Sequence, residues 1–157
     1  MSDFSPEQKL REMGIVLPGV PSPAGSYRPC VRSGRLVFIS GQLPLKDGKL
    51  LFEGLVGGGV SVEQAVLCAR QAAVNCLAVL SAEAGGLGAV GRIVKVTGYV
   101  ASAAGFVRQA DIVNGASDLF AEVFGERGRH SRAAVGASAL PLGAPVEIEA
   151  VAEVRDG

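Results

Sequence analysis

Residues 131–154, SRAAVGASALPLGAPVEIEAVAEV, contain two runs with the period of β-strands on either side of a Leu-Pro-Leu-Gly turn. The first run is Ser131–Ala137, and the second, Val146–Val154, alternates apolar with mostly acidic residues. Because successive side chains of a strand point to opposite faces of a sheet, the second strand has one apolar face. Its other face carries Glu147, Glu149, Val151 and Glu153. This pattern predicts a half-buried sheet with a chain reversal at residues 140–143.

Two oppositely charged side chains in these strands are the best candidates for a chemical site. If the strands pair antiparallel, Arg132 and Glu147 could approach each other. From spacing alone, a cross-strand salt bridge on a solvated face is the simpler interpretation. His130 lies two residues before Arg132 and shares its face, so it could line a pocket or lie on the surface at a strand end.

The segments upstream complete an α+β pattern. Two strands, Tyr27–Arg32 and Leu36–Ser40, flank a Ser-Gly turn. A helix begins at Ser61 and ends near Gly85, a strand covers Ile93–Val100, and a second helix covers Gln109–Val123. The order β-β-α-β-α-β-β predicts a mixed sheet with two helices on one face.

The N-terminal segment is different in character. Ser5 and Pro6 are typical of the start of a short helix, and the prolines that follow indicate an extended linker. The sequence therefore predicts two parts. Residues 1–22 form an N-terminal helix and Pro-rich linker, and residues 23–157 form one α+β domain.

Composition argues against several function classes. Fifteen basic residues balance fifteen acidic ones, and there is no tryptophan, so neither a phosphate-backbone surface nor an aromatic stacking platform for nucleic acid is expected. One histidine and three separated cysteines do not make a zinc site. A polar N-terminus, no apolar run of membrane-spanning length and an odd cysteine count predict a cytoplasmic protein without a membrane partner.

Two further sites are weak candidates. The loop Gly57–Gly59 precedes a helix N-terminus, where an anion can bind, but the Lys-Ser/Thr ending of a phosphate loop is missing. Its role is left open, and a flexible connection is the simpler interpretation. Ser131 adjoins His130, but neighbours on a strand point to opposite faces, which argues against a nucleophile–base pair.

Several motifs, in one order along residues 23–154, resemble the Rid family of enamine/imine deaminases, the YjgF-like proteins. The motifs are Gly25-Ser26-Tyr27, ISGQLP at residues 39–44, IVKVT at 93–97, Val113-Asn114, RAAV at 132–135, Leu140-Pro141 and VEIEA at 146–150. The resemblance implies a chorismate-mutase-like fold, which the predicted element order also fits. It implies a homotrimer with three clefts between subunits.

The resemblance also implies roles for individual residues. Arg132 would hold the carboxylate of a small imino or keto acid, which suits a planar guanidinium fork. Glu147 would position the attacking water. Tyr27, Ser40 and Asn114 would line the cleft.

The implied reaction is hydrolysis of a 2-imino acid or its enamine tautomer, as by a 2-iminobutanoate/2-iminopropanoate deaminase. No cofactor would be needed, because the iminium carbon is already electrophilic. Alternatives on the same scaffold are a non-catalytic protein that binds a small keto acid or carboxylate and, less favoured, an endoribonuclease. The N-terminal extension, Gly136-Ala137 after the arginine motif and His130 before it depart from the family pattern, which indicates a divergent subgroup.

Overall fold

A computed structural model describes residues 5–20, 22–23 and 25–156. Three helices are present in these residues: α1 Pro6–Glu12, α2 Val62–Ala84 and α3 Gln109–Phe124. The strands are β1 Cys30–Ser33, β2 Leu36–Gln42, β3 Leu45–Lys46, β4 Lys49–Leu50, β5 Val90–Ala101, β6 Ser131–Ala137 and β7 Val146–Val154. Apart from the small β3–β4 hairpin, this is the predicted β-β-α-β-α-β-β order, so the predicted α+β fold class is confirmed.

The main sheet has the order β1-β2-β7-β5-β6, with β5 and β6 parallel and the other neighbours antiparallel. This order corrects the predicted pairing of the last two strands. β5 lies between β6 and β7, so Arg132 is in register with Val96 and Glu147 with Tyr99. The prediction that Arg132 and Glu147 approach each other as a direct cross-strand pair within one chain is therefore wrong.

α2 and α3 cover one face of the sheet and enclose the core between the two layers. Buried side chains from both layers meet there, including Val37, Leu77, Ile93, Phe120 and Ile148. The capping box at Ser61 and Gln64 starts α2, as the sequence predicts. Cys68 and Cys76 are both buried on its inner side.

α2 also corrects the expectation that no segment reaches the length of a membrane span. Val62–Ala84 is long and apolar enough by length and composition, but 67% of its apolar window is buried inside the domain. It is the core helix of this fold, and its apolar character reflects contact with the sheet and α3.

We call the other side of the sheet the open face. It is defined by the alternate positions Val31, Phe38, Thr97, Tyr99, Val135, Glu147, Glu149 and Val151. Three of its apolar side chains are substantially exposed: Val31 at 55%, Phe38 at 46% and Val135 at 43%. Val31 and Phe38 are cross-strand partners and form an exposed apolar pair, whereas Val135 lies on β6, with β7 and β5 between it and Phe38. An exposed apolar pair on a sheet, rimmed by polar side chains, is a candidate surface for contact with another molecule.

α1 is confirmed where the sequence predicts it, and it is not isolated from the domain. Leu10 is 4% exposed and belongs to the same core as α2 and α3. The Glu7 carboxylate accepts a hydrogen bond from the Gly88 backbone N–H at 3.0 Å. Pro21 of the predicted linker and Ala24 just after it lie outside the described residues, and the division after residue 22 stays a prediction.

Candidate functional site

Arg132 lies on the helix-covered side of β6, and α3 holds one edge of its guanidinium. Nη1 donates to Asn114 Oδ1 at 2.7 Å and to Ser117 Oγ at 3.2 Å, and Nη2 donates to the Ala110 carbonyl at 3.3 Å. Ala110, Asn114 and Ser117 form one stripe of α3. The opposite edge, with Nε–H and the second Nη2 hydrogen, has no partner among the described residues. This free edge can form a two-point contact with a carboxylate.

Ser117 connects the arginine to His130. Ser117 Oγ lies 2.9 Å from His130 Nε2, and His130 Nδ1 lies 2.7 Å from the Gly128 carbonyl. The imidazole meets the Phe120 ring edge-on, with centroids 5.8 Å apart. Burial and then the charge of Arg132 lower the pKa of His130, although the Gly128 hydrogen bond acts to raise it. His130 is therefore a half-buried neighbour of Arg132, just before the first residue of β6.

We call Arg132, Asn114, Ser117 and His130 the arginine half-site. His130 and Arg132 lie close together, because both contact Ser117, and the pocket-lining role of His130 stays a prediction. Asn114 contacts Arg132 directly, which the sequence did not predict. Ser117 was missed altogether. The available signal was the polar i, i+3 pair Asn114 and Ser117 on an otherwise apolar side of a helix.

Glu147 lies on the open face, on the other side of the sheet from Arg132. It is half-buried, and burial, reinforced by the charge of Glu149, raises the pKa of its carboxyl group. Glu149 is itself held by a 2.7 Å hydrogen bond from the Tyr99 hydroxyl. A carboxyl group with a raised pKa can both accept and return a proton nearer to neutral pH than an exposed one.

A bulge in β2 makes room for this carboxylate. The β2–β7 register shifts between Ile39 and Gln42, so β2 has an extra residue opposite Glu149. A Cβ atom added to Gly41 would overlap Glu147 Oε1. Bulges next to sites re-aim side chains, and here the missing side chain of Gly41 leaves the space that the Glu147 carboxylate occupies.

Ser40 is part of this bulge, and Tyr27 belongs to the segment before β1 to which Ser40 is hydrogen-bonded. Ser40 Oγ donates to the Arg28 carbonyl at 2.6 Å, which ties β2 to the segment that carries Tyr27. Tyr27 precedes β1, instead of starting it, and is 55% exposed. We call Glu147, Ser40 and Tyr27 the glutamate half-site.

One chain therefore separates the predicted site residues into two groups. Arg132 and Glu147 differ by two strands across the sheet and three residues along it, which places their Cα atoms roughly 14 Å apart. Their side chains also point to opposite faces. The two half-sites can act on one small molecule only if a second copy of the chain supplies one of them. Among the described residues, no cluster of three or more His, Cys, Asp or Glu side chains could hold a metal ion.

The chain is similar to known proteins over nearly its whole length. Residues 7–154 match the family model described as "YjgF/chorismate_mutase-like, putative endoribonuclease". Protein TCP17 of Trypanosoma cruzi is 40% identical over 148 residues, which cover 94% of this chain and 92% of that protein.

Two solved structures share both the fold and much of the sequence. The protein Atu1372 of Agrobacterium tumefaciens, of unknown function, has 46% identity and a TM-score of 0.89, covering 96% of this chain and 92% of that one. A putative endoribonuclease of Shewanella oneidensis MR-1 has 33% identity and a TM-score of 0.93, covering 96% and 99%. Since this coverage leaves only a few residues outside, both alignments include most of the N-terminal segment.

Proposed function

Because the chain belongs to the YjgF/chorismate mutase-like family, we propose that it hydrolyses 2-imino acids, or their enamine tautomers, to 2-oxo acids and ammonia. The observation that carries this proposal is the arginine half-site, whose guanidinium presents a free carboxylate-binding edge. Substrates of this class share a carboxylate next to the electrophilic carbon.

The reaction requires little of the protein beyond positioning. Water adds to the carbon of the protonated C=N bond, giving a tetrahedral carbon that bears OH and NH2. Proton transfer to nitrogen then releases ammonia and leaves the C=O of the 2-oxo acid. The carbon is already electrophilic, so the proposal includes no cofactor.

The two charged residues suit the two tasks. Arg132 fixes the carboxylate through its free edge and thereby places the imine carbon. Glu147 holds the water and takes its proton, and the raised pKa of its carboxyl group lets it pass that proton to the departing nitrogen. Tyr27, Ser40 and Asn114 would line the cleft. Asn114 would act largely through Arg132, which it contacts.

The proposal includes more than one copy of the chain, because one chain keeps the half-sites apart, and three copies are what the resemblance to the family implies. The open face exposes Val31, Phe38 and Val135, and burying them between subunits would be favourable. A cleft between neighbours would then bring the arginine half-site of one copy to the glutamate half-site of the next.

The direct test is ammonia and 2-oxo acid release from freshly generated 2-iminopropanoate and 2-iminobutanoate. We expect release above the spontaneous rate with the wild type and only the spontaneous rate with Arg132→Ala. Arg129→Ala is a matched control, because Arg129 is an exposed arginine whose side chain pairs with Glu126. A folded Arg132→Ala protein with full activity would refute the proposal.

The test also separates two alternative functions. Saturable binding of a 2-oxo acid that depends on Arg132, with no ammonia release, would favour a non-catalytic metabolite-binding protein. The description of the family model and the name of the Shewanella relative both include an endoribonuclease. That activity suits a chain with zero net charge and one histidine poorly. RNA cleavage that is lost in Arg132→Ala would favour it.

A further inference from the structure

We propose that Ser117 and His130 are positioning residues that set the orientation of the Arg132 guanidinium. They form a one-directional hydrogen-bond chain from Arg132 through Ser117 and His130 to the Gly128 carbonyl. Neither residue belongs to the motifs that resemble the family. The proposal rests on the proposed function only in its choice of ligand, since the geometry of the chain does not depend on any substrate.

The direction of the chain follows from what each atom can donate or accept. The Gly128 carbonyl has only lone pairs, so His130 Nδ1, 2.7 Å away, must carry hydrogen. In the neutral imidazole, Nε2 then has a lone pair and accepts from the Ser117 hydroxyl at 2.9 Å. The Ser117 oxygen keeps its own lone pairs and accepts from Arg132 Nη1 at 3.2 Å.

The surroundings of His130 favour this neutral form. The ring is half-buried against the edge of Phe120, and both burial and the cation of Arg132 lower its pKa. Of the other nearby ionisable groups, Asp118 on α3 is exposed, and Arg129 is paired with Glu126 in the preceding turn. A protonated His130 would place a second cation next to Arg132.

This series of hydrogen bonds matters because it helps to provide an acceptor for both N–H groups of one guanidinium nitrogen. Nη1 has two hydrogens, and Asn114 and Ser117 accept both. The plane of the guanidinium is thereby fixed before a ligand arrives, with the Nε edge left free. An arginine held in this way loses less conformational freedom on binding than a mobile one. Without Ser117 the side chain could rotate about its last bonds, and carboxylate binding should weaken.

The first experiment reads the tautomer and needs no ligand. His130 is the only histidine of the sequence, so nitrogen-15 labelling of histidine gives signals from a single imidazole ring. We expect long-range proton–nitrogen spectra at pH 7.5 to show hydrogen on Nδ1 and a bare Nε2. Hydrogen on Nε2 with a bare Nδ1 would overturn the proposed chain, whatever the protein binds or catalyses.

The second experiment measures binding of 2-oxobutanoate, a product of the proposed reaction, by calorimetry. In Ser117→Ala and His130→Leu we expect the Kd to rise roughly tenfold, the usual effect of losing a hydrogen bond to a charged group. His130→Gln keeps a carbonyl acceptor near the position of Nε2 and should restore the Kd to within about threefold of wild type. Asp118→Ala, an exposed neighbour on α3, is the control.

Kinetics provide a readout that a purely structural defect would not give. With 2-iminobutanoate, the Ser117→Ala enzyme should show a raised KM and a nearly unchanged kcat, because the contact acts on carboxylate binding. An unchanged Kd in a folded Ser117→Ala protein would overturn the proposal. If wild type binds no 2-oxobutanoate, the proposed function is contradicted. The tautomer of His130 still decides whether the hydrogen-bond chain from Arg132 to Gly128 is present.

Discussion

At the residue scale, Gly41 limits what can stand beside Glu147. A methyl group at Gly41 would overlap the Glu147 carboxylate, so Gly41→Ala should displace the carboxylate. Displacing a catalytic group by about 1 Å costs on the order of 100-fold in rate. We expect kcat for 2-iminobutanoate hydrolysis to fall by about that factor.

The control for Gly41→Ala is Gly59→Ala. A Cβ atom at Gly59 would have nothing within 4 Å, and its backbone is not in the left-handed region. It should therefore keep wild-type activity. Equal activity in Gly41→Ala and Gly59→Ala would show that the position of Glu147 does not limit turnover.

Glu147 should also lower stability at neutral pH. Burial, reinforced by Glu149, raises the folded-state pKa of Glu147 above its ordinary value of 4.5. As pH rises from 4.5 through that raised value, the unfolded chain releases the proton first, so stability is lost over this window. Glu147→Gln removes the loss. After discounting for solvent screening, it should raise Tm at pH 7 by about 1–3 °C and have no effect near pH 4.

Differential scanning calorimetry of both proteins at pH 4 and pH 7 measures this difference. Glu126→Gln is the control, because the side chain of Glu126 is 89% exposed and its substitution should not change the pH dependence. A Glu147→Gln protein that is less stable than wild type at pH 7 would contradict the prediction. Since Glu147 is proposed to take the proton of the attacking water, Glu147→Gln should lose activity while it gains stability. This combination is the behaviour expected of a functional side chain.

At the element scale, α1 tests whether residues 1–22 are separate from the domain. Leu10→Ala removes a side chain that is 4% exposed in the shared core. We expect a cost of about 2–3 kcal/mol and a fall in Tm of about 5–10 °C, in one cooperative transition. Val16→Ala, at an 88% exposed position four residues past α1, should change stability by less than about 0.5 kcal/mol. A Leu10→Ala protein as stable as wild type would show that α1 does not contribute to the stability of the domain.

The elements were largely predictable from the sequence, and their arrangement was not. Alternation in Val146–Val154 and the helical spacing in Val62–Ala84 give each element and its buried face. They carry no information about which strand lies beside which, because any strand with one apolar face fits several neighbours. β5 could therefore be predicted as a strand, but its position between β6 and β7 could not.

The same distinction applies to the candidate site. Arg132 and Glu147 were identified from a motif, whereas Ser117 depends on how α3 packs against the edge of the sheet. Gly41 lies within the ISGQLP motif at residues 39–44. The need for a glycine at this position becomes clear only from the bulge in β2 and the Glu147 carboxylate next to it. Contacts between distant segments are set by tertiary packing, which local patterns do not encode.

At the scale of the whole molecule, the main question is which surface joins the half-sites. The sheet has its arginine half-site at the β6 edge and its glutamate half-site toward the β1–β2 edge, on the other face. A ring of subunits related by a closed rotation would repeat the same contact and complete the same cleft at each interface. The exposed apolar side chains of the open face make it the surface that we expect to be buried.

Phe38→Glu tests that assignment, because placing a charge in a buried apolar contact opposes association. Phe38 is 46% exposed on the open face, and Leu67 is 53% exposed on the helical side. Leu67→Glu is therefore a matched control with a similar charge change on the other side of the molecule. By sedimentation velocity at micromolar concentration, we expect wild type and Leu67→Glu to be trimers and Phe38→Glu to be a folded monomer. The monomer should also lack imine hydrolysis, because it has both half-sites but cannot bring them together. A trimeric, active Phe38→Glu protein would show that the open face is not the interface. A monomeric wild type would contradict the proposed trimer.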